Sequence, residues 1–164
     1  MLSRLFWKAL LAFLALPGIV AFLVPLTLFP PSSRNFSVDP LGLPLLLLGV
    51  AALLSTVYEF YVAGRGTLAP WSPPEQLVTT GLYRVSRNPM YVAVVLVLLG
   101  WAALFRSFPL LVYALAVAVG FHLRVVFGEE PWLKQTHGDR WLRYEARVPR
   151  WFIRFKGNSK EVTP

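Results

Sequence analysis

The sequence predicts an all-α, polytopic membrane protein with four transmembrane helices, a tight hairpin between the third and fourth, and a cytoplasmic C-terminal amphipathic helix. Three observations predict it. Of the 164 residues, 56% are hydrophobic and 15% charged. Ordinary soluble domains are about 45–50% apolar and about 25% charged, so polar residues are too few here to cover a surface facing water. The apolar residues gather in four long runs, and the 16 basic residues, against 8 acidic ones, fall mostly on one side of those runs. The length suits a single domain over residues 1–164.

A helix needs about 20 apolar residues to cross the hydrocarbon core. The first run, 9–29, is uncharged and contains Pro17-Gly18. The basic stretch from Met1 to Lys8 before it would suit a signal peptide. The run is long for one, however, and no A-x-A site follows, so a retained helix is expected. The second run, 41–63, has one charge, Glu59, near its end. The third, 90–105, is short but uncharged, and the fourth, 109–127, carries His122 and Arg124 near its end. Only Arg106-Ser107-Phe108 separates the last two, which dictates the hairpin. Gly42, Gly49 and Gly100 suit close helix packing; nothing in the sequence speaks to oligomeric state.

Four crossings put both termini and the middle loop on one side. That side holds Arg4, Lys8, Arg65, Arg84, Arg87 and nine basic residues from Arg124 onward; the other holds Arg34 and Arg106. The positive-inside rule therefore places the termini and middle loop in the cytoplasm. A net charge of +8 can also mark nucleic-acid binding, but the apolar mass favours a membrane surface, and no nucleic acid is expected. The absence of cysteine excludes disulfides, thiolate metal sites and cysteine nucleophiles. His122 and His137 are too few for most metal sites, and no metal is expected.

Chemistry is therefore sought in the cytoplasmic segments 64–89 and 128–152; the tail 153–164 reads as flexible. The middle loop is rich in Gly and Pro and cannot continue a helix. Pro89 stands where a helix would begin, with Asn88 as a plausible N-cap. Arg87 and the free N–H groups of that helix start would attract a carboxylate or phosphate. Spacing alone favours a plainer reading, a capped helix start with Arg87 reaching lipid phosphate. Glu129-Glu130-Pro131 follows the fourth run. Two acids are unfavourable at a helix C-terminus and better placed at the start of a new helix with Pro131 in its first turn. Either acid could simply pair with Arg124. Beyond them, Trp132, Leu133, Trp141, Leu142 and Tyr144 against Lys134, Arg140, Arg143 and Arg147 read as one basic amphipathic helix, of the kind that lies on membranes. Glu59, His122 and Arg124, inside the runs near the cytoplasmic ends, are candidates for substrate contact; a structural Glu59–Arg124 ion pair explains two of them equally well.

The stretch Gly81-Leu82-Tyr83-Arg84-Val85-Ser86-Arg87-Asn88-Pro89-Met90-Tyr91 resembles a G-x-Y-x-x-x-R-H-P-x-Y motif. Glu129-Glu130-Pro131-Trp132-Leu133 resembles its E-E-x-x-L partner, and His137-Gly138, Tyr144 and Val148-Pro149-Arg150 resemble an F-G-x-x-Y-x-x-Y-x-x-x-V-P tail. These mark the integral-membrane methyltransferases that include isoprenylcysteine carboxyl methyltransferases and phospholipid N-methyltransferases. The resemblance covers roughly Gly64 to Trp151. It implies S-adenosylmethionine as methyl donor, a cytoplasmic cofactor pocket and a lipid or lipidated acceptor entering from the bilayer. It implies that Gly81, Tyr83, Arg87, Asn88, Pro89 and Tyr91 line the cofactor site from one side and Glu129, Glu130 and Leu133 from the other. Tyr144, also a candidate for substrate contact, and the Val148-Pro149 turn would cap it, with Glu129, Glu130 and Arg87 as the catalytic candidates. Asn88 replaces the motif's His and cannot act as a base near neutral pH. Trp141 replaces the tail's first Tyr, and His137 its Phe.

Chemically, the glutamates suit the donor's amine and ribose hydroxyls, Arg87 its carboxylate, and the tyrosines its sulfonium. A carboxylate acceptor needs no base, whereas an ammonium acceptor must first lose a proton, which Glu129 or Glu130 could take. Two other functions compete. A small four-helix transporter would carry an ionisable residue deep in a span, and these spans are clean at their centres. A non-catalytic adaptor binding anionic lipid through its basic helix leaves the Arg87-Asn88-Pro89 and Glu129-Glu130 pairing unexplained.

Overall fold

The computed structural model of the chain describes residues 14–28, 39–63 and 76–151. All regular structure among them is helical. The tail expected to be flexible, the ends of the first apolar run and the middle loop up to residue 75 lie outside the described residues.

Helix α1 is a wide, π-type segment, Leu14–Leu23, running on into Val24–Leu28. Pro17 and Pro25 account for the widening. A proline has no N–H, and its ring crowds the carbonyl one turn back. Pro25 thus lacks the N–H that would serve Ala21 O in an α-helical register or Val20 O in a π-type one. Side chains of other helices take both: Trp101 Nε1 donates to Ala21 O at 3.0 Å and Tyr113 Oη to Val20 O at 3.2 Å. In hydrocarbon, where water cannot serve, such replacement bonds are what make a broken helical ladder tolerable.

α2 spans Gly42–Val62 and α3 spans Pro89–Leu104. Their seam is a stripe of small and buried residues: Gly42, Leu46, Gly49, Leu53 and Thr56 meet Ala93, Val97, Gly100 and Leu104. A Cβ at Gly49 would lie 2.7 Å from Val97 N, and one at Gly100 2.6 Å from the Leu46 Cα. The glycines thus let two backbones touch, the usual way helices pack without a hydrophobic driving force. They serve packing within the chain.

α4, Phe108–Arg124, follows α3 after the turn Phe105–Ser107. Arg106 there takes a positive φ of 46°, and Ser107 Oγ caps α4 by accepting from Leu110 N. Arg106 also binds Asp39 Oδ2 through Nε and Nη2, at 3.0 and 2.8 Å, while Asp39 N donates to Leu104 O. This ties the entry of α2 to the far end of the α3–α4 pair. The Leu41 N–H and the Arg106 guanidinium hold the Asp39 carboxyl below its usual range.

The helix does not stop after α4. It passes through a π-type turn, Val125–Glu129, into α5, Glu130–His137. The cause is Pro131, which opens the ladder one turn upstream without breaking it. Gly138 then ends α5 with φ 50° and ψ −125°, and α6 runs Asp139–Arg147. The single amphipathic helix expected here is therefore two, because Gly138 adopts a backbone conformation that L side chains rarely do. The expectation that its apolar face lies on lipid also changes. Trp141, Tyr144 and Val148 are buried against Leu77 and Leu133, forming a second small core beside the main one. Burying each is worth about 1.5–3 kcal/mol, which is what holds α6 to the loop.

Two helical runs are long and apolar enough to cross a membrane: Gly42–Glu59 and Phe108–His137. The segments Pro17–Thr27 and Pro89–Leu104 are shorter apolar helices. Only 28% and 17% of the most apolar windows of the two long runs are buried within the protein, so they are not the core helices of a soluble domain. Leu43, Leu47, Leu48 and Leu54 on α2, and Leu111, Val112, Leu115 and Val119 on α4, are exposed. An apolar belt of that size needs lipid.

Candidate active site at the helix junction

Where α3 begins and α4 turns into α5, the motif residues meet in two adjoining clusters. The first is Tyr91, Glu129 and Arg124. The Tyr91 hydroxyl donates to Glu129 Oε1, and Arg124 Nε donates to the same oxygen at 2.8 Å. Tyr91 also stacks on Phe121, with ring centroids 4.3 Å apart. Arg124 thus pairs with the nearest acid; the alternative Glu59–Arg124 pair does not form. Glu59 instead accepts from Thr80 Oγ1, and a Cβ on Gly81, whose φ is +54°, would meet its carboxylate. Glu59 holds the motif loop in place from the end of α2.

The second cluster is ionic. Glu130 takes both Nε and Nη2 of Arg150, at 2.8 and 2.7 Å, and lies 3.2 Å from Arg87 Nη1. Arg87 Nη1 also reaches Glu145 at 2.8 Å, and its guanidinium lies 5.4 Å from the Trp141 ring centroid. The hydrogen bonds it donates to Glu130 hold the Arg150 guanidinium protonated even more firmly than usual. The Arg87 side chain is only 8% exposed, yet its Nε has no hydrogen-bond partner among the described residues. A buried guanidinium N–H left unpaired is expensive, which makes it a candidate ligand donor.

The backbone is fixed to match. Arg87 N donates to Pro149 O at 2.9 Å, Ser86 Oγ to Arg150 O at 3.2 Å and Asn88 Nδ2 to Arg150 O at 3.1 Å. Asn88 occupies the N-cap of α3, but its side chain makes no capping bond; the amide is committed to Arg150. Pro89 is fully buried at the helix start. The Tyr144 hydroxyl donates to Tyr83 O at 2.7 Å, and burial pushes both phenols above their ordinary range. Leu133 packs on Trp141 and Tyr144.

A mostly apolar cleft of about 450 Å³ runs between α3 and α4 and is lined by Val95, Leu96, Leu115 and Val119, with Tyr91 and His122 at its polar end. The His122 ring lies 6.1 Å from that of Trp151.

A family model for phospholipid methyltransferase matches residues 39–140, from the turn before α2 to the start of α6. The chain belongs to the phospholipid methyltransferase family. No curated protein and no solved structure matches it. Membership makes methyl transfer the reaction class and the membrane its setting. The phospholipid methyltransferase match takes in the Gly81–Tyr91 stretch and Glu129–Leu133; Tyr144 and the Val148-Pro149 turn lie beyond it. Of the residues singled out in the sequence, Tyr91, Arg124 and Glu129 touch one another and Arg87 touches Glu130, while Gly81 lies against Glu59 and Tyr83 O accepts from Tyr144. It missed Glu145 as Arg87's second anion and Arg150 as Glu130's main partner. Glu145 had a signal: it stands four residues after Trp141, hence on the same helix face. Arg150 had only its place beside the Val148-Pro149 turn; nothing in the sequence named Glu130 as its partner, since only the fold returns the chain from Pro149 to the start of α3.

Proposed function

We propose that this phospholipid methyltransferase moves a methyl group from S-adenosylmethionine to the amine of a membrane phospholipid at the cytoplasmic face. The observation that carries this reading is the junction of the two features above. An apolar cleft wide enough for acyl chain opens beside Tyr91, and the Glu129 carboxylate stands at Tyr91's hydroxyl. α1 and α3 are read as further crossings, which makes four. The cytoplasmic assignment follows from the basic residues at this end, Arg84 to Arg150, against Arg106 at the other.

The residues present fit the methyl donor. The unpartnered Arg87 Nε suits its carboxylate, and Arg150, Glu130 and Glu145 hold Arg87 in place. When bound, S-adenosylmethionine supplies an electrophilic methyl group on a sulfonium. The chain's own residues do the rest. An ammonium headgroup has no free lone pair, so its proton must leave first. Glu129, oriented by Tyr91 and Arg124, accepts that proton, and the Tyr91 ring beside it faces the positive charge that develops on nitrogen. The cleft holds the acyl chain so that the amine arrives in line, and exclusion of water there strengthens both effects.

The test is methyl transfer by the purified protein in phospholipid nanodiscs with labelled donor, read by mass spectrometry of the lipids. Glu129→Gln should lower kcat by about 10²-fold or more while donor binding persists. Glu130→Gln should weaken donor binding. Full activity in both variants, or no saturable donor binding by the parent protein, would refute the reading. A non-catalytic adaptor predicts that last result.

A further inference from the structure

We infer a second binding site, for a phosphate-bearing anion, in the cleft between the 76–84 segment and α6. This cleft, of about 490 Å³, is lined by Arg84, Arg140, Arg143 and Arg147, with Thr79 and Gln76 beside them. Leu77, Tyr144 and Val148 form its apolar wall. It shares no residue with the apolar cleft at Tyr91 or with the Arg87, Glu130, Glu145 and Arg150 cluster. It is therefore a separate site, meeting the resemblance's cofactor pocket only at the capping Tyr144 and Val148, and it does not depend on the methyl-transfer reading.

Three observations carry the inference. The first is partnering. Arg87, Arg106, Arg124 and Arg150 are each in an ion pair. Among the described residues, none of the four cleft arginines is, and no carboxylate lines the cleft. The second is geometry. Arg140, Arg143 and Arg147 stand three and four residues apart on one face of α6, where like charges repel. Arg84 converges on them from a different element. A merely solvated basic face needs neither the concavity nor the fourth arginine. The third is that α6 is already anchored. Its apolar face, Trp141 and Tyr144, is buried inside the protein, so these arginines are not accompanying an apolar face into lipid.

The ligand chemistry follows from the donors. Guanidinium forks match phosphate oxygens two at a time, and the Thr79 hydroxyl and Gln76 amide add neutral donors. Four positive charges without a carboxylate suit a dianionic phosphomonoester better than a phosphodiester. Its source is either a lipid headgroup or a soluble phosphate compound.

The full-length protein in zwitterionic detergent would be titrated by calorimetry with dihexanoyl phosphatidate and, separately, with glycerol 3-phosphate. Saturable one-to-one binding is expected, weakened at least about tenfold by Arg143→Gln with Arg147→Gln and also by Arg84→Gln alone. Thermal unfolding would confirm that these variants fold. Lys134→Gln, on α5 outside both clefts, should bind as the parent does. Binding of both compounds identifies a site open to soluble phosphates; binding of phosphatidate alone identifies a lipid headgroup site. No saturable binding of either compound would overturn the inference. So would an equal loss in Lys134→Gln, which would mean diffuse attraction.

Discussion

Replacing Arg87 by methionine keeps most of the side chain's length and removes its guanidinium. The structural cost can be worked from the contacts. Glu145 loses its partner at 2.8 Å, but its side chain is 37% exposed and can hydrate, so that pair is worth about 0.5–1 kcal/mol. Glu130 loses a 3.2 Å contact but keeps both bonds to Arg150, at a cost of about 1 kcal/mol. The guanidinium over Trp141 adds about 1 kcal/mol. Against these, the variant no longer buries an unpaired Nε, which returns about 1 kcal/mol. The net loss is about 1.5–2 kcal/mol, a fall in Tm of about 3–8 °C. Donor binding should suffer more. Charge-assisted bonds to a carboxylate contribute about 1.5–3 kcal/mol, so S-adenosylmethionine affinity should drop by about 10- to 150-fold. Calorimetric titration and thermal unfolding of the same detergent-solubilised sample measure both. If the variant loses more than about 15 °C in Tm while the folded fraction binds donor normally, Arg87 is a structural ion-pair residue and the argument fails.

Other residues give sharper structural tests. Gly100→Ala should destabilise by about 1–3 kcal/mol, because the new methyl meets the Leu46 backbone; Gly120→Ala, with open space around it, should be near neutral in the same unfolding assay. Trp101→Phe should cost about 1–3 kcal/mol, since the Ala21 carbonyl loses its donor in apolar surroundings. Burial raises the Tyr144 phenol's pKa, so its contribution to stability is complete below about pH 10 and is lost as pH rises toward the folded-state value. Tyr144→Phe should therefore flatten the alkaline limb of a Tm–pH profile, while costing about 1 kcal/mol at neutral pH through the lost bond to Tyr83 O.

The helices could be read from the sequence because apolar runs interrupted only by Pro, Gly and charge leave few alternatives. α2, α3 and α4 begin and end within three residues of the expected runs. The Arg124–Glu129 contact was legible as a candidate because the acids follow Arg124 closely at one end of an apolar segment, whereas Arg87 and Glu130 came together only through the resemblance, as two sides of one site. Three things were not. Asn88 stands where a cap should and yet bonds to Arg150, a competition between local and long-range acceptors that spacing cannot decide. Glu59 was read against Arg124, but the return of the 76–84 segment places Thr80 and Gly81 on it first. Amphipathicity in the 130–147 region spoke of an apolar partner without saying whether that partner was lipid or Leu77.

The adjacent acids were the least explicable feature of the sequence, and the π-type turn explains them. Neighbours on a helix point about 100° apart, so Glu129 and Glu130 cannot serve one ligand atom side by side. The widened turn that Pro131 imposes directs Glu129 back onto Tyr91 and Arg124 at the apolar cleft and Glu130 onto Arg87 and Arg150 at the ionic cluster. Each acid thus meets a different arginine. If Glu129 takes the acceptor's proton and Glu130 fixes Arg87 for the donor, the two substrates are aligned across one peptide unit. That relation depends on helix phase. Pro131→Ala, which permits an ordinary α-helical turn, should therefore impair methyl transfer far more than it impairs donor binding. An equal loss of both would mean that the turn serves folding alone.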